Sequence, residues 1–288
     1  EVFGAGNDWY LNNKRNRMIY ETNDGSIAYF YVNTSNSLVR GDNYTINMLN
    51  KTVSFDEDNK SVTEYKDKLG QVVMKRSDTD VDTYFVYNDL GQLAFVLPPI
   101  AADNLKNIAV NTPITDSNDY LKKFCYLYKY DERGNCTEKR LPGCEPIYMV
   151  YDKADRLILS QDGNQRAKTT KEWTVTKYDV LGRVIFCGIT TSLSGSLHND
   201  LIASYKTDLI VETFANGVYT TNKFADATPL VVNYYDNYSF ISSLPTNKQF
   251  IAYQTKTGYD KAYPESATNH TGLNAKGLLT GTRTYYLD

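Results

Sequence analysis

One short pattern recurs five times along this chain, and it constrains the fold more than any other feature. The pattern is Tyr, then Asp or Asn, two variable residues, Gly, a polar residue and an apolar run. Its copies are "EYKDKLGQVVMKR" (64–76), "VYNDLGQLAFVL" (86–97), "KYDERGNCTEKR" (129–140), "VYDKADRLILS" (150–160) and "KYDVLGRVIFCG" (177–188). Their tyrosines lie 22, 43, 21 and 27 residues apart. A unit of about 21 residues with insertions explains this series.

Each copy has the composition of a tight turn. In "YDERGN", the Asp131 side chain can accept a hydrogen bond from the backbone two residues on, which starts a type I turn. Gly134 can adopt the left-handed conformation that a G1 bulge after this turn requires. The same two positions hold Asn88 and Gly91, Asp152 and Asp155, and Asp179 and Gly182, and each residue suits its position. The first copy has one extra residue between Tyr65 and Gly70, so we expect a longer loop there.

The turn and its flanks predict one β-hairpin per copy. Two strands of about five to seven residues plus the turn fill one repeat. A lone hairpin is marginal in water, so the stable object is a stack of hairpins that buries a continuous face. The chain is therefore predicted as all-β: an array of stacked antiparallel β-hairpins in a long curved or spiral sheet, a partial β-shell, with a few short helical insertions.

The tyrosine before each turn is predicted to brace its own hairpin. It should contact the polar residue that follows the turn, as Tyr178 with Arg183, through stacking or a hydrogen bond. The tyrosines at this position are Tyr87, Tyr130, Tyr151 and Tyr178. Together with the Asp and Gly positions of the turns, they form the predicted structural repeat.

These copies resemble the YD-repeat family, also called Rhs repeats, whose signature is Tyr-Asp-x-x-Gly-Arg followed by an apolar strand. Residues 178–184 match the signature completely. Residues 130–135 depart from it only by Asn135, and residues 151–157 only by Asp155. The phrases "VLPP" (96–99) and "KGLLTG" (276–281) also resemble the large secreted YD-repeat proteins of Bacteroidetes.

The resemblance implies a ribbon of hairpins that coils into a hollow shell, secreted or on a bacterial cell surface. In toxin members the shell encloses a C-terminal polypeptide, which a core segment cuts free with acidic residues. No segment of this chain matches that core segment. The implied partners are the remainder of its own longer chain and an enclosed C-terminal passenger. Because the chain ends in a strand-like stretch, "TRTYYLD" (282–288), we expect the array to continue beyond it.

Outside the clear copies, the sequence suggests three regions: an N-terminal β-rich segment (1–53), the hairpin array (54–188) and a continuation with insertions (189–288). No Pro/Gly-rich linker separates them, so a single domain is the alternative. Short helices are predicted at 101–108, 117–124 and 196–205, with Asp103 and either Ser117 or Asn118 as caps. A turn is predicted at "RGDN" (40–43), and a weaker sixth copy at "YYDNYSF" (234–240).

Composition excludes several classes of partner. The 288 residues include 25 tyrosines, and the net charge is −3. No dense block of Lys and Arg is present, so we predict no nucleic-acid partner, which would need a basic patch. No apolar run reaches about 18 residues, so no transmembrane segment is predicted. The four cysteines lack C-x-x-C spacing, so free thiols are expected, with a Cys136–Cys144 disulfide as the alternative.

No catalytic arrangement emerges from the sequence. His198 and His270 lie far apart without ligand spacing, and neither a Gly-x-Ser-x-Gly elbow nor a complete dinucleotide loop occurs. We therefore predict no enzyme activity and no cofactor, with a self-cleaving hydrolase as the alternative that lacks a matching site. The favoured function is a structural wall segment that serves as scaffold or container for a downstream polypeptide.

Two sets of residues could nevertheless bind a ligand. Asp78, Asp80 and Asp82 alternate, and in a strand their carboxylates would share one face and suit calcium; a solvated acidic loop is the alternative. Trp9, Tyr10 and Trp173 could stack on sugars, and the alternative is that they pack the sheet. The second functional hypothesis is therefore a glycan- or cell-surface-binding module that uses exposed aromatic residues.

Overall fold

The computed structural model describes residues 2–3, 7–12, 14–220, 223–244 and 275–286. Contacts between residues divide the chain into two compact units, Glu1–Pro146 and Ile147–Asp288. The boundaries predicted after residues 53 and 188 remain predictions. Both units consist mainly of antiparallel strands with a few short helices, which confirms the predicted all-β class.

The first unit is built from antiparallel strands that mostly pair with their neighbours in sequence. They are β1 (Val2–Phe3), β2 (Arg15–Thr22), β3 (Ala28–Val32), β4 (Leu38–Asn43), β5 (Asn50–Phe55), β6 (Ser61–Lys66), β7 (Val72–Ser77), β8 (Asp82–Tyr87), β9 (Leu93–Leu97), β10 (Pro113–Ile114), β11 (Tyr126–Tyr130) and β12 (Cys136–Arg140). The large sheet has the order β1-β2-β5-β6-β7-β8-β9-β11-β12, and a small sheet has the order β10-β4-β3. Consecutive hairpins therefore make the large sheet, as the repeat predicts.

The core of the first unit lies on one face of this large sheet. In β8 every second side chain is buried, including Tyr84 and Val86, because successive residues of a strand point to opposite faces. Phe30 of β3 packs edge-on against Tyr84, with ring centroids 5.2 Å apart. Burial raises the pKa of Tyr84 to about 12. The small sheet therefore covers the large one through aromatic contacts.

Three helices accompany these strands: α1 (Asn7–Leu11), α2 (Pro99–Leu105) and α3 (Asp119–Phe124). The predicted helices at 101–108 and 117–124 correspond to α2 and α3. Asn118 caps α3, where its side chain accepts hydrogen bonds from the backbone N–H groups of Tyr120 and Leu121. The predicted cap Asp103 is wrong, because this residue lies inside α2, which begins after Pro98. The predicted turn at "RGDN" is also wrong, because these residues belong to β4.

In its described residues, the second unit repeats the architecture with six paired strands and a separate hairpin. Its elements are β13 (Ile147–Tyr151), β14 (Leu157–Gln161), α4 (Gly163–Ala167), β15 (Trp173–Tyr178), β16 (Val184–Thr190), α5 (His198–Tyr205), β17 (Phe214–Ala215), β18 (Val218–Tyr219), β19 (Thr228–Asp236), a 3-10 helix (Ser239–Ser243) and β20 (Ala275–Thr284). The sheet order is β13-β14-β15-β16-β19-β20, and β17 pairs with β18. The core contains Trp173, Val175 and Ile158, and Leu201 of the predicted helix α5 packs against them.

None of the described helices combines the length and the apolar character that a membrane span requires. All four cysteines are free thiols, so the alternative of a Cys136–Cys144 disulfide is wrong.

Candidate functional site

The repeated turn is held by one carboxylate oxygen. Oδ1 of Asp131 accepts hydrogen bonds from the backbone N–H groups of Arg133 and Asn135, each 2.9 Å away. The N–H of Gly134 donates to the Asp131 carbonyl at 3.1 Å, and Gly134 has a φ of +87°. This is a type I turn followed by a left-handed residue. The same bonds form at Asp67, Asn88, Asp152 and Asp179.

The first copy uses a different residue at the tyrosine position. Lys66 pairs with Val72 in the register that Tyr130 has with Cys136, whereas Tyr65 lies opposite Met74. Tyr65 is therefore one position too early to be the motif tyrosine. The turn from Asp67 has the same length as the others, so the prediction of a longer loop is wrong.

Two turns of this kind escaped the sequence pattern, one at Asn33 and one at Asp56. Oδ1 of Asp56 accepts hydrogen bonds from the N–H groups of Asp58 and Lys60, and Asn59 has a φ of +61°. The segment "FDEDNK" thus has Phe55 in place of Tyr, Asn in place of Gly and Lys in place of Arg. Each replacement suits the same turn, since Asn tolerates positive φ, and a looser pattern would have found it.

The motif tyrosine reaches back to the preceding hairpin. The hydroxyl of Tyr178 donates to the carbonyl oxygen of Leu157 at 2.9 Å, and Tyr130 donates to Leu93 at the same distance. Tyr87 donates to Val72 and Tyr235 to Val184, both at 3.1 Å. The acceptor always lies two residues after the left-handed residue of the earlier turn. The hydroxyl of Tyr151 lies 3.8 Å from the sulfur of Met149 in its own strand. The four hydrogen bonds to carbonyl oxygens join one hairpin to the next.

The predicted contact between Tyr178 and Arg183 is wrong, because Arg183 stacks on another ring. The guanidinium carbon of Arg183 lies 4.3 Å from the ring centroid of Tyr235, and that of Arg156 lies 4.9 Å from Tyr178. Each arginine therefore covers the tyrosine of the following strand pair. The cation–π contact and the hydroxyl bond both run between hairpins rather than within one.

The residue after three of the turns, Gln71, Arg156 or Arg183, also reaches forward. The side-chain amide of Gln71 donates to the carbonyl of Gly91 at 3.0 Å. Arg183 donates to its own turn at Asp179 (Nε to Oδ2, 2.6 Å) and makes a two-pronged contact with Asp236 (3.0 and 2.6 Å). Hydrogen bonds from Arg183 and the N–H of Gly277 lower the pKa of Asp236 to about 2. Neighbouring turns are thus tied by charge as well as by hydroxyl bonds.

Asp152 is the most enclosed of the turn carboxylates. It is completely buried, and Arg156 donates to its Oδ2 from Nε at 3.0 Å. The N–H of Ile210, from the segment after α5, reaches the same oxygen at 3.3 Å. Burial opposes ionisation, but the bonds from Arg156 and the backbone outweigh it and lower the pKa of Asp152. The charged turn therefore also anchors the insertion that passes over it.

The three calcium candidates do not lie along one strand. Asp78 and Asp80 belong to the turn between β7 and β8, where Asp80 has a φ of +58°. Asp82 begins β8 and is buried, and Arg76 donates to both of its carboxylate oxygens, at 2.6 and 2.9 Å. Within the described ranges, no group of three metal-binding side chains forms. The expected shared face is wrong because a turn interrupts the alternation.

The three sugar-stacking candidates differ in exposure. Trp173 is only 1% exposed, in the core of the second unit, so its ring has no free face for a surface sugar. Trp9 and Tyr10 lie on α1 of the first unit and are 39% and 67% exposed. Of the two histidines, His198 stacks its ring on Tyr148, with ring centroids 4.3 Å apart. His270 lies outside the described residues.

No protein family and no curated protein matches the chain. Among solved structures, the crystal structure of TcdB2-TccC3 is 13% identical, with a TM-score of 0.39, over 71% of this chain and 8% of its own. The Tc holotoxin pore of Photorhabdus luminescens is 12% identical, with a TM-score of 0.37, over 72% of this chain and 10% of its own. The structural neighbours of the chain are thus Tc toxin components, of whose length it spans a tenth or less.

Proposed function

We propose that this chain is a structural wall segment of a secreted or surface YD-repeat protein. The observation that carries the proposal is the hydrogen bond from a tyrosine hydroxyl to the preceding hairpin, which Tyr87, Tyr130, Tyr178 and Tyr235 all make. A single hairpin is marginally stable, so a stack depends on bonds between its members. A wall needs this lateral coupling, which the turns provide in both units.

In this proposal the chain acts by enclosing and not by catalysis. Its partners are the rest of a longer chain and a polypeptide that follows it, which the wall would shield from solvent and proteases. The turn carboxylates support a structural role, because Oδ1 of Asp131 and Oδ1 of Asp179 each accept hydrogen bonds from two backbone N–H groups. The second oxygen also accepts a hydrogen bond, from Asn135 in Asp131 and from Arg183 in Asp179, whereas a general acid or base would need an oxygen free for a substrate.

Protease protection tests the container role directly. The longer parent protein would carry one epitope tag at its C-terminus and would be treated with proteinase K, with and without prior unfolding in urea. We expect the tag to survive in the folded protein and to disappear after unfolding. Equal digestion in both samples would refute enclosure. New bands during incubation of the purified chain without protease would refute the non-enzymatic assignment.

A matched pair of variants connects protection to the turns. Gly182→Val places a β-branched residue at a φ of +80°, whereas Gly195→Val meets neither positive φ nor a nearby atom. We expect the tag to become protease-sensitive only in the first variant. Equal protection in the two variants would separate the turns from the wall function.

A further inference from the structure

Both partners of one ion pair in the second unit are buried. Nζ of Lys177 lies 3.2 Å from Oε1 of Glu212, and the two side chains are only 4% and 1% exposed. Nζ also lies 5.3 Å from the ring centroid of Phe186. The removal of two charges from water costs more than their attraction usually returns. A reaction that neutralises the pair would therefore remove this cost from the folded state.

The backbone holds the two side chains against each other. The N–H of Glu212 donates to the carbonyl oxygen of Tyr178 at 2.9 Å, and Val211 forms a parallel bridge with the same tyrosine. The segment that carries Glu212 is thus fixed beside the end of β15, which carries Lys177. Reactive groups held in the right geometry reach effective concentrations of about 10⁵–10⁸ M. A reaction between these two side chains needs no further encounter.

A hydroxyl group is aimed at the other oxygen of Glu212. Oγ1 of Thr220 donates to Oε2 at 2.8 Å. The N–H of Thr213 donates to Oγ1 of Thr220 at 2.9 Å, which leaves the hydroxyl proton directed at Glu212. A donor at this place stabilises the negative charge that develops on Oε2 when the carboxyl carbon Cδ is attacked. The carboxyl group therefore has an amine beside one oxygen and an oxyanion donor on the other.

The corresponding lysine of another hairpin shows the ordinary arrangement. Lys129 also precedes a motif tyrosine, and its Nζ bonds to Glu138 across the hairpin at 2.9 Å. The lysine side chain is 39% exposed, so water solvates this pair and keeps its charges separate. The partner of Lys177 comes instead from the insertion after α5, 35 residues away. The insertion thus brings a carboxyl group and buries the pair at this one repeat.

We propose that Lys177 and Glu212 become joined by an amide bond between Nζ and Cδ. The ammonium group first passes one proton to Oε1, which gives a neutral amine and a carboxylic acid. Nζ then attacks Cδ, and negative charge forms on Oε2 beside the hydroxyl of Thr220. A second proton moves from Nζ to Oε1, which leaves as water while the carbonyl reforms. One amide and one water are produced, without any redox change or second substrate.

This bond would fasten the insertion after α5 to the sheet at one point. A covalent cross-link stabilises a fold chiefly because it restricts the unfolded chain. All four cysteines are free thiols, so no disulfide supplies such a link. The proposal does not depend on the wall function and uses none of the turn carboxylates.

Mass spectrometry of the intact, folded 288-residue chain tests the proposal. We expect a mass that is one water below the mass calculated from the sequence. Trypsin should then fail to cleave after Lys177 and should release one branched peptide that joins 172–183 to 207–223. The full calculated mass after prolonged incubation, with separate peptides 172–177 and 207–223, would overturn the proposal. A missing water that maps to other residues would also overturn it.

Two lysine-to-arginine variants form a matched pair. Lys177→Arg keeps the positive charge and the ion pair, but a guanidinium does not give up its proton and cannot attack Cδ. We expect this variant to have its full calculated mass. Lys129→Arg changes the exposed pair and should lose one water, as the wild type does. Loss of a water at Glu212 in Lys177→Arg would overturn the assignment, and circular dichroism checks that both variants fold.

The rate of bond formation tests the oxyanion donor. Cell-free synthesis followed by timed denaturation gives the fraction of cross-linked chain at each time, read from the branched peptide. Thr220→Val removes the hydroxyl at Oε2 and should slow the reaction by at least about tenfold. An unchanged rate in this variant would refute the role of Thr220, while the mass of the wild-type chain decides the bond itself.

Discussion

The hydroxyl of Tyr178 donates to the carbonyl oxygen of Leu157, 21 positions earlier in the chain and in the preceding hairpin. The Tyr178 side chain is largely buried, so water cannot easily replace the lost partner. Tyr178→Phe should lower the free energy of unfolding by about 1 kcal/mol. Urea denaturation measures this change. Tyr20→Phe is the control, because Tyr20 is 75% exposed and, among the described residues, its hydroxyl contacts the sulfur of Met18 at 3.5 Å. Equal effects of the two variants would contradict the role of the bond.

The left-handed turn residue should tolerate glycine far better than a β-branched side chain. Gly182→Val should cost about 1–3 kcal/mol, because valine is strained at a φ of +80° even though a Cβ there meets no atom within 4 Å. Gly195→Val has the same open surroundings without positive φ and should cost much less. Thermal unfolding compares the two. An unchanged melting temperature for Gly182→Val would show that strain at this position is unimportant.

Acid should weaken the link between Arg183 and Asp236. The pKa of Asp236 in the folded protein is about 2, below the value of about 3.9 in an unfolded chain. A depressed pKa gives stability that is fully present above about pH 4 and is lost as the pH falls through about 2. Unfolding measured between these pH values should show a smaller slope in Asp236→Asn than in the wild type. An equal slope in Asp236→Asn and in the wild type would contradict this assignment.

Asp82 should matter to folding more than its neighbour Asp78. Asp82→Asn would leave Arg76 without its two-pronged partner and should cost about 1–3 kcal/mol, since bonds between charged groups are among the stronger ones. Asp78→Asn changes a residue of the turn outside that ion pair and should cost little. Denaturation with and without calcium completes the test. A calcium-dependent rise in stability that Asp78→Asn abolishes would restore the calcium hypothesis.

The turns could be predicted from the sequence because their hydrogen bonds are local. Asp131 accepts hydrogen bonds from residues two, three and four positions ahead, so the pattern contains the whole structure of the turn. The role of the tyrosine could not be read in this way. Its acceptor belongs to a neighbouring hairpin, and the identity of that neighbour depends on how hairpins pair across insertions. The sequence alone therefore predicts a contact within one hairpin, whereas the hydrogen bond runs between hairpins.

Register decided the other errors. Tyr65 fits the sequence pattern because a tyrosine is expected just before the turn. The pairing of Lys66 with Val72 shows that Lys66, and not Tyr65, occupies the tyrosine position of the motif. Asp78 and Asp80 looked like one face of a strand, but their segment is a turn. The buried ion pair between Nζ of Lys177 and Oε1 of Glu212, 3.2 Å apart, could not be predicted from the sequence, because an insertion brings together two residues that lie 35 positions apart.

The two ends of the strands in the large sheet of the first unit differ in how much the length of their connections varies. The turns at 67–71, 88–92 and 131–135 have one fixed length, and their residues are bonded to each other and to adjacent hairpins. At the opposite ends of the strands, the connections range from the short turn at 77–81 to the long segment 98–125, which contains two helices. The turns of fixed length at one end therefore set how neighbouring hairpins are joined. Additional residues can be inserted at the other end without a change in how the hairpins are joined. Such a protein can therefore acquire helices and loops while its sheet stays the same.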